Sequence, residues 1–188
     1  MERMQPMPPA MHEAFLHNYR WLARYNAWFN ERLYDACERL PEAQRREDRG
    51  AFFGSIHGTL NHLVWGDKLW LARFAAQGTF PALRSELLAL PGGAVHATML
   101  HEAWSALRAD RRALDAAIEA WLADMPADWP LATMTYSNTK GVARRHPAWQ
   151  ALTHFFNHQA HHRGQVTTLL AQAGVDPGMT DAIALAGD

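Results

Sequence analysis

Four stretches of this chain place an apolar or bulky residue at alternating steps of three and four, and each ends at a proline or glycine. No other feature constrains the fold as tightly, because that spacing keeps one face of an α-helix on a core. The first stretch runs from about His12 to Leu40, with Phe15, Tyr19, Leu22, Asn26, Phe29 and Leu33 in line and Pro41 ending it. The second runs from about Phe52 to Gln77, carries Ile56, Leu60, Leu63, Asp67, Trp70 and Phe74, and closes on Gly78 and Pro81. The third spans about Val95 to Met125, with Leu100, Trp104, Leu107, Arg111, Leu114, Ile118 and Trp121 as its stripe and Pro126 behind it. The fourth follows Pro147 and runs to Ala173, with Gly174 as its C-cap and Leu152, Phe155, Gln159 or His162, Val166, Leu169 and Ala173 inward.

Four long helices predict an all-α protein, a four-helix bundle. Leu131 to Ala148 breaks the pattern: it is rich in Thr and β-branched residues around an Asn138–Gly141 turn signal. A short β-hairpin or an ordered loop is expected there, between helices three and four. Pro81 to Gly93 is a second long connection, without periodicity. A length of 188 residues suits a single domain over 1–188, with 1–11 as an N-terminal extension and 175–188 as a C-terminal tail.

Composition narrows the function by exclusion. A formal net charge of −1 gives no reason to expect nucleic acid or an anionic membrane as partner. No stretch approaches the roughly 18 uninterrupted apolar residues of a membrane span, and Met1 to Ala10 lacks a signal-peptide core. The expectation is a soluble, cytoplasmic protein. Cys37 is the single cysteine, so an intrachain disulfide and a Cys-based zinc site are excluded, and the residue reads as a small buried hydrophobe. Eight tryptophans predict an aromatic core or an aromatic-lined pocket. Trp65, opposite the helix-two stripe, reads as an exposed anchor suited to a dimer interface.

The chemistry concentrates in Thr153-His-Phe-Phe-Asn-His-Gln-Ala-His-His-Arg-Gly-Gln165. Residues four apart share a helix face, so His158 and His162 can converge on one ion, as could His154 and His158. Neutral imidazole is a good ligand for zinc, nickel and iron. His162 falls on the apolar stripe, where a buried imidazole needs a partner that a metal would supply. His154 lies a turn nearer the helix start, at the rim. Gly164 inside a helix costs roughly 1 kcal/mol relative to alanine, which predicts a close approach to that backbone. Arg163 and Gln165 stand where an ordinary bundle helix would carry leucine.

A third ligand must come from elsewhere. Helix two offers Asp67, in the middle of its stripe, and His62, on the flank beside Ser55, Thr59 and Gly66. Wheel geometry favours Asp67, giving two histidines and a carboxylate, while the small flank residues would let a neighbouring helix bring His62 inward. Spacing leaves both open. Asn26 reads as a satisfied core amide more readily than a substrate contact. Arg111 reads as reaching solvent at the bundle end, with Asp67 or an anionic substrate as the alternative partner. No phosphate loop, Gly-x-Ser-x-Gly elbow or His-Glu-x-x-His sequence is present.

Three segments together resemble the DinB (damage-inducible) family, which includes the YfiT-like proteins. They are Tyr25-Asn-Ala-Trp-Phe-Asn-Glu-Arg-Leu33, Phe53-Gly-Ser-Ile-His-Gly-Thr-Leu-Asn-His-Leu-Val-Trp-Gly-Asp-Lys-Leu-Trp70 and, most specifically, His154-Phe-Phe-Asn-His-Gln-Ala-His-His-Arg-Gly-Gln-Val166. The resemblance covers about His12 to Gly174. It implies a bundle of variant up-and-down topology with a three-histidine metal site of His62, His158 and His162, holding nickel or zinc. Asp67 then moves to orienting an imidazole N–H. The resemblance also implies a homodimer, and similar proteins include thiol-dependent S-transferases and a thiol-dependent maleylpyruvate isomerase. The expected function is a metal-dependent enzyme that activates a thiol or water for a small-molecule substrate, with Asp67, His154 and Gln165 as polar groups at the open coordination position. The alternatives are a non-catalytic metal-binding stress-response module and an interaction scaffold whose histidines only pack.

Overall fold

Proline has the backbone angle that a first helical turn needs and lacks an N–H that the turn would leave unpaired, and α1 (Pro9–Glu38) starts on one. The computed structural model describes residues 9–186, with side chains from residue 12 onward. The helix thus takes in the end of the expected extension, whose first eight residues lie outside the described ones. Past Leu40 the chain turns at Pro41 into a one-turn helix that periodicity did not reveal, α2 (Glu42–Arg46).

The second long helix, α3 (Ile56–Ala75), begins later than Phe52. Gly54 takes φ +73°, which ends any helix there. Ser55 then caps the new one, its Oγ accepting from the Gly58 N–H at 3.0 Å. From Thr59 to Lys68 every residue of α3 is buried. A helix buried on all sides has no solvent face, and this corrects the reading of Trp65: it is 9% exposed and cannot serve as an exposed dimer anchor.

The cover comes from the long connection after α3. It contains the short α4 (Ser85–Leu88) and an irregular run that extends to residue 103. The third long helix, α5 (Trp104–Ala123), therefore starts nine residues after Val95, where periodicity placed it. Buried polar side chains of α3 explain the difference, because they take up the backbone groups of residues 96–101. Asn61 Oδ1 accepts from the His101 N–H at 2.8 Å, His57 Nε2–H donates to the His101 carbonyl at 2.9 Å, and His62 Nδ1–H donates to the His96 carbonyl at 2.8 Å. A helix through this run would commit those same groups to itself.

After a 3-10 turn at Trp129–Leu131 come β1 (Thr133–Ser137) and β2 (Ala143–Pro147), an antiparallel hairpin with Tyr136 paired to Arg144. Asn138 Oδ1 accepts from the Lys140 and Val142 N–H groups, and Gly141 sits at φ +75°, as the turn signal required. The last helix, α6 (Ala148–Gln172), ends with Gly174 at φ +75° and Val175 N donating to Leu170 O at 2.9 Å. The tail returns along α1, where Tyr25 Oη donates to the Thr180 carbonyl at 2.7 Å.

The four long helices pack in the cyclic order α1, α5, α3, α6. Consecutive helices α1 and α3 thus sit on a diagonal, which departs from a simple up-and-down bundle. Trp121 stacks on Phe74 at 4.9 Å with Trp129 and Phe155 around them, an aromatic core. Cys37 is fully buried.

Candidate metal centre

Two polar clusters interrupt the apolar core, and separating them decides what each candidate residue does. The first lies on the bundle axis and takes side chains from all four long helices. Arg111 pairs with Asp67 and, at 2.9 Å, with Asp115 one turn on. Gln159 Nε2 donates to Asp67 Oδ1 at 3.1 Å, and the Asn26 and Asn30 amides donate to Asp115 at 3.0 Å. Arg163 donates to Asn26 Oδ1 and lies 4.8 Å over the Phe29 ring.

Arg111 is 2% exposed, so the reading that carried it to solvent is corrected: two carboxylates within reach hold it inside. Burial works against its charge, but Asp115 and Asp67 outweigh burial and keep its pKa above the ordinary value. Asp67 is fully buried and bonded to Arg111 and Gln159, not to an imidazole. Wheel geometry was right that Asp67 faces the bundle axis. The axis, however, holds its own counter-charges. Asn26 is a satisfied core amide.

The second cluster lies off the axis, between α3 and α6. His62, His158 and His162 present one ligand atom each, all within 4.8 Å of one another. His158 Nε2 is 3.1 Å from His62 Nε2 and 3.1 Å from His162 Nε2. Two nitrogens bound to one ion at about 2.0–2.1 Å lie roughly 2.9–3.4 Å apart over angles from octahedral to tetrahedral. The two separations at His158 fit a shared ion.

Protonation points the same way. The His96 carbonyl can only accept, so His62 carries its proton on Nδ1 and turns the bare lone pair of Nε2 inward. Gln165 Oε1 does the same for His162, accepting from Nδ1 at 2.8 Å. Two lone pairs therefore converge on His158 Nε2, and one imidazole proton cannot satisfy both. A cation between the three rings satisfies all of them. Burial pushes His158 down to about 3, with His162 and His62 adding to it, and His62 down to about 4. His162 is lowered too, chiefly by burial. At neutral pH all three are the uncharged imidazoles that ligate metals.

Aromatic rings fix the geometry. His62 is stacked on Phe53 at 3.8 Å and on Trp65 at 5.8 Å. A Cβ at Gly66 would come 2.8 Å from His158 Cε1, so glycine is what lets this imidazole lie against α3. The close approach predicted at Gly164 is absent, since nothing lies within 4 Å of a Cβ built there. A methyl-sized gap was required, but on the facing helix.

His154 stays outside the triad, its ring 5.9 Å from that of His158 and 4.9 Å from that of Trp70. Gln165 stands behind His162, on the Nδ1 side, away from the converging nitrogens. An open cavity of about 890 Å³ meets the cluster at Gly66 and His158 and carries His154 in its wall. Sequence reading passed over Asp115, Asn30, Phe53 and the His96 carbonyl. Asn26 with Asn30 and Arg111 with Asp115 were visible as polar pairs four apart, whereas a carbonyl in a loop leaves no mark in a sequence.

Fold and site define a four-helix bundle with a three-histidine cluster that could hold a metal ion at the edge of a cavity. A model of the DinB family matches residues 12–186, and the chain belongs to that family. Protein DinB of Bacillus subtilis (strain 168) is 24% identical over 161 residues, covering 85% of this chain and 88% of that protein. No solved structure matches the chain. Among the described residues, no helix is long and apolar enough to cross a membrane.

Proposed function

We propose that this protein is a metal-dependent enzyme that uses a thiol or water against a small-molecule substrate. The observation that carries the reading is the convergence of three imidazole nitrogens at the edge of a large open cavity. His62, His158 and His162 would hold the ion, nickel or zinc, since an all-imidazole set suits both. Three protein ligands leave coordination positions open, as catalytic sites do and closed structural sites do not. A bound ion would supply Lewis acidity there, lowering the pKa of the thiol or water that reached it.

The chain's own residues do the rest. The His96 carbonyl and Gln165 fix which nitrogen of His62 and His162 faces inward. Phe53 and Trp65 stack on His62 and shield it from water. His154 stands in the cavity wall beside His158, where an uncharged imidazole can accept or return a proton; burial lowers its pKa, with Arg73 adding to this. Thiol transfer is preferred to hydrolysis because of the family resemblance. Homodimerisation belongs to the same reading and is read by analytical ultracentrifugation.

The test is metal content by mass spectrometry on the purified and reconstituted protein, followed by turnover of electrophiles with small thiols. One ion per chain, with metal and turnover both lost in His158→Ala, supports the reading. A protein that takes up no divalent ion overturns it. Metal without turnover would leave a non-catalytic metal-binding module.

A further inference from the structure

Arg73 lies in the last turn of α3 and lines the cavity that opens on His158. Its guanidinium carbon is 4.8 Å from the ring centroids of both Trp70 and Tyr136. These contacts hold the group in place without engaging its N–H donors. Its hydrogen bond to the Ser137 carbonyl is long, at 3.4 Å. Among the described residues no carboxylate pairs with it, whereas Arg46, Arg108, Arg111 and Arg112 each hold at least one. Arg144 lines the same cavity, opposite Tyr136 in the hairpin register. Among the described residues no aspartate or glutamate lines it.

A preorganised guanidinium with unused donors, in a cavity free of acidic groups, is a site for an anion. The remaining wall decides what kind. Trp65, Trp70, Leu69 and Leu90 offer apolar surface for an organic body. Among the described residues none that lines the cavity lies in the first turn of a long helix, so no ring of terminal N–H groups is present for the third oxygen and second charge of a phosphate. A planar fork matches a planar carboxylate.

We propose that the cavity binds a small organic acid, its carboxylate on Arg73 with Arg144 as the second cation, its apolar body along Trp65 and Trp70, and its other end at His158. The inference deepens the enzymatic reading above and rests on the cavity being the substrate's. Arg73 is then a specificity residue that selects the acid over its neutral analogue.

Phenylacetate and phenylacetamide share a shape and differ in charge. Titrated into the full-length protein with tryptophan fluorescence as readout, the acid should bind about tenfold more tightly than the amide, the worth of one hydrogen-bonded charge pair. Arg73→Gln should erase that preference, Arg73→Lys should keep part of it, and Arg144→Gln should reduce it less than Arg73→Gln. Equal binding of the two probes, or a preference unchanged in Arg73→Gln, overturns the proposal. Inorganic phosphate displacing phenylacetate at equal concentration overturns the choice of carboxylate. The same titrations with chelator present, and in His158→Ala, separate the two readings. A preference that survives without metal stands even if the protein never binds an ion. A preference that depends on metal and ignores Arg73 places the acid on the ion, overturning this inference and leaving the metal centre intact.

Discussion

The two polar clusters buried in this bundle are both built from side chains of facing helices, and they balance their charges in opposite ways. On the axis, Asp67 and Asp115 pair with Arg111, Arg163 donates to Asn26 and Gln159, and Asn26, Asn30 and Gln159 donate to the two carboxylates. The carboxylates and guanidiniums are equal in number, so the charges balance within the chain, although the Nε groups of Arg111 and Arg163 find no hydrogen-bond partner among the described residues. Between α3 and α6, by contrast, three neutral rings point the same kind of atom at one spot. Donors and acceptors cannot be matched from within the chain. Burial of polar groups alone therefore says little about function, and the convergence of like atoms on one spot says much more.

The sharpest way to break the comparison is to remove one member of each cluster. His158→Ala should lose stoichiometric metal, an effect larger than the roughly 10–100-fold typical of an outer partner, while the metal-free protein keeps its fold. Asp67→Ala should do the reverse. It leaves the Arg111 charge partly uncompensated in the core and should cost about 3–5 kcal/mol in urea denaturation, with metal per folded chain unchanged. If Asp67→Ala sheds metal as readily as His158→Ala, the two clusters are one functional unit and the distinction fails.

A step smaller is Gln165→Ala, which frees the Nδ1 of His162. Metal affinity by competition titration should fall about 10–100-fold with little change in stability. Unaltered affinity would show that ring orientation is set by packing alone.

Acid should also tell the clusters apart. His62 and His158 bind a proton in the unfolded chain near pH 6.5 but in the folded protein only near 4 and 3. The unfolded state thus holds more protons across that window, so the stability of the metal-free protein should fall as pH drops below about 6.5. Above pH 6.5 these two groups should add no pH dependence. Comparing urea midpoints at pH 7.5 and 5.0, His158→Gln should reduce the loss. Asp67, raised to about 6 by burial, acts in the opposite direction in both proteins, so a loss unchanged in His158→Gln would contradict the burial argument.

The smallest contrast concerns two glycines. Gly66→Ala drives a Cβ against His158 and should weaken metal binding. Gly164→Ala meets open space inside a helix and should stabilise the protein by about 0.5–1 kcal/mol, read as a raised Tm. Equal effects at both positions would remove the steric account of the site.

Much of this was legible in residue spacing. The four long helices, the Asn138–Gly141 hairpin turn, the Gly174 cap and the His158–His162 pair all follow from local rules that act over one or two turns. The errors concern partners that lie outside the helix in question. Trp65 reads as exposed only if α3 has a solvent face, and the chain covers that face with residues 76–103. Arg111, on the core stripe of α5, reads as reaching solvent only while its two acids are unknown, and the start of α5 is set by α3 side chains that take up residues 96–101.

By itself, then, the sequence determined the elements and one local half of the site, because periodicity and capping depend on neighbours in the chain. Spacing left His62 and Asp67 both open as the third member; the resemblance implied His62, and the packing of α3 on α6 with Gly66 at their contact brings it to the pair. Packing also decided the pairing of Arg111 with two acids and the union of Arg73, Tyr136 and His158 around one cavity. The reason is physical: a ligand set and a charge balance are properties of distances between helices, and spacing along the chain cannot encode those.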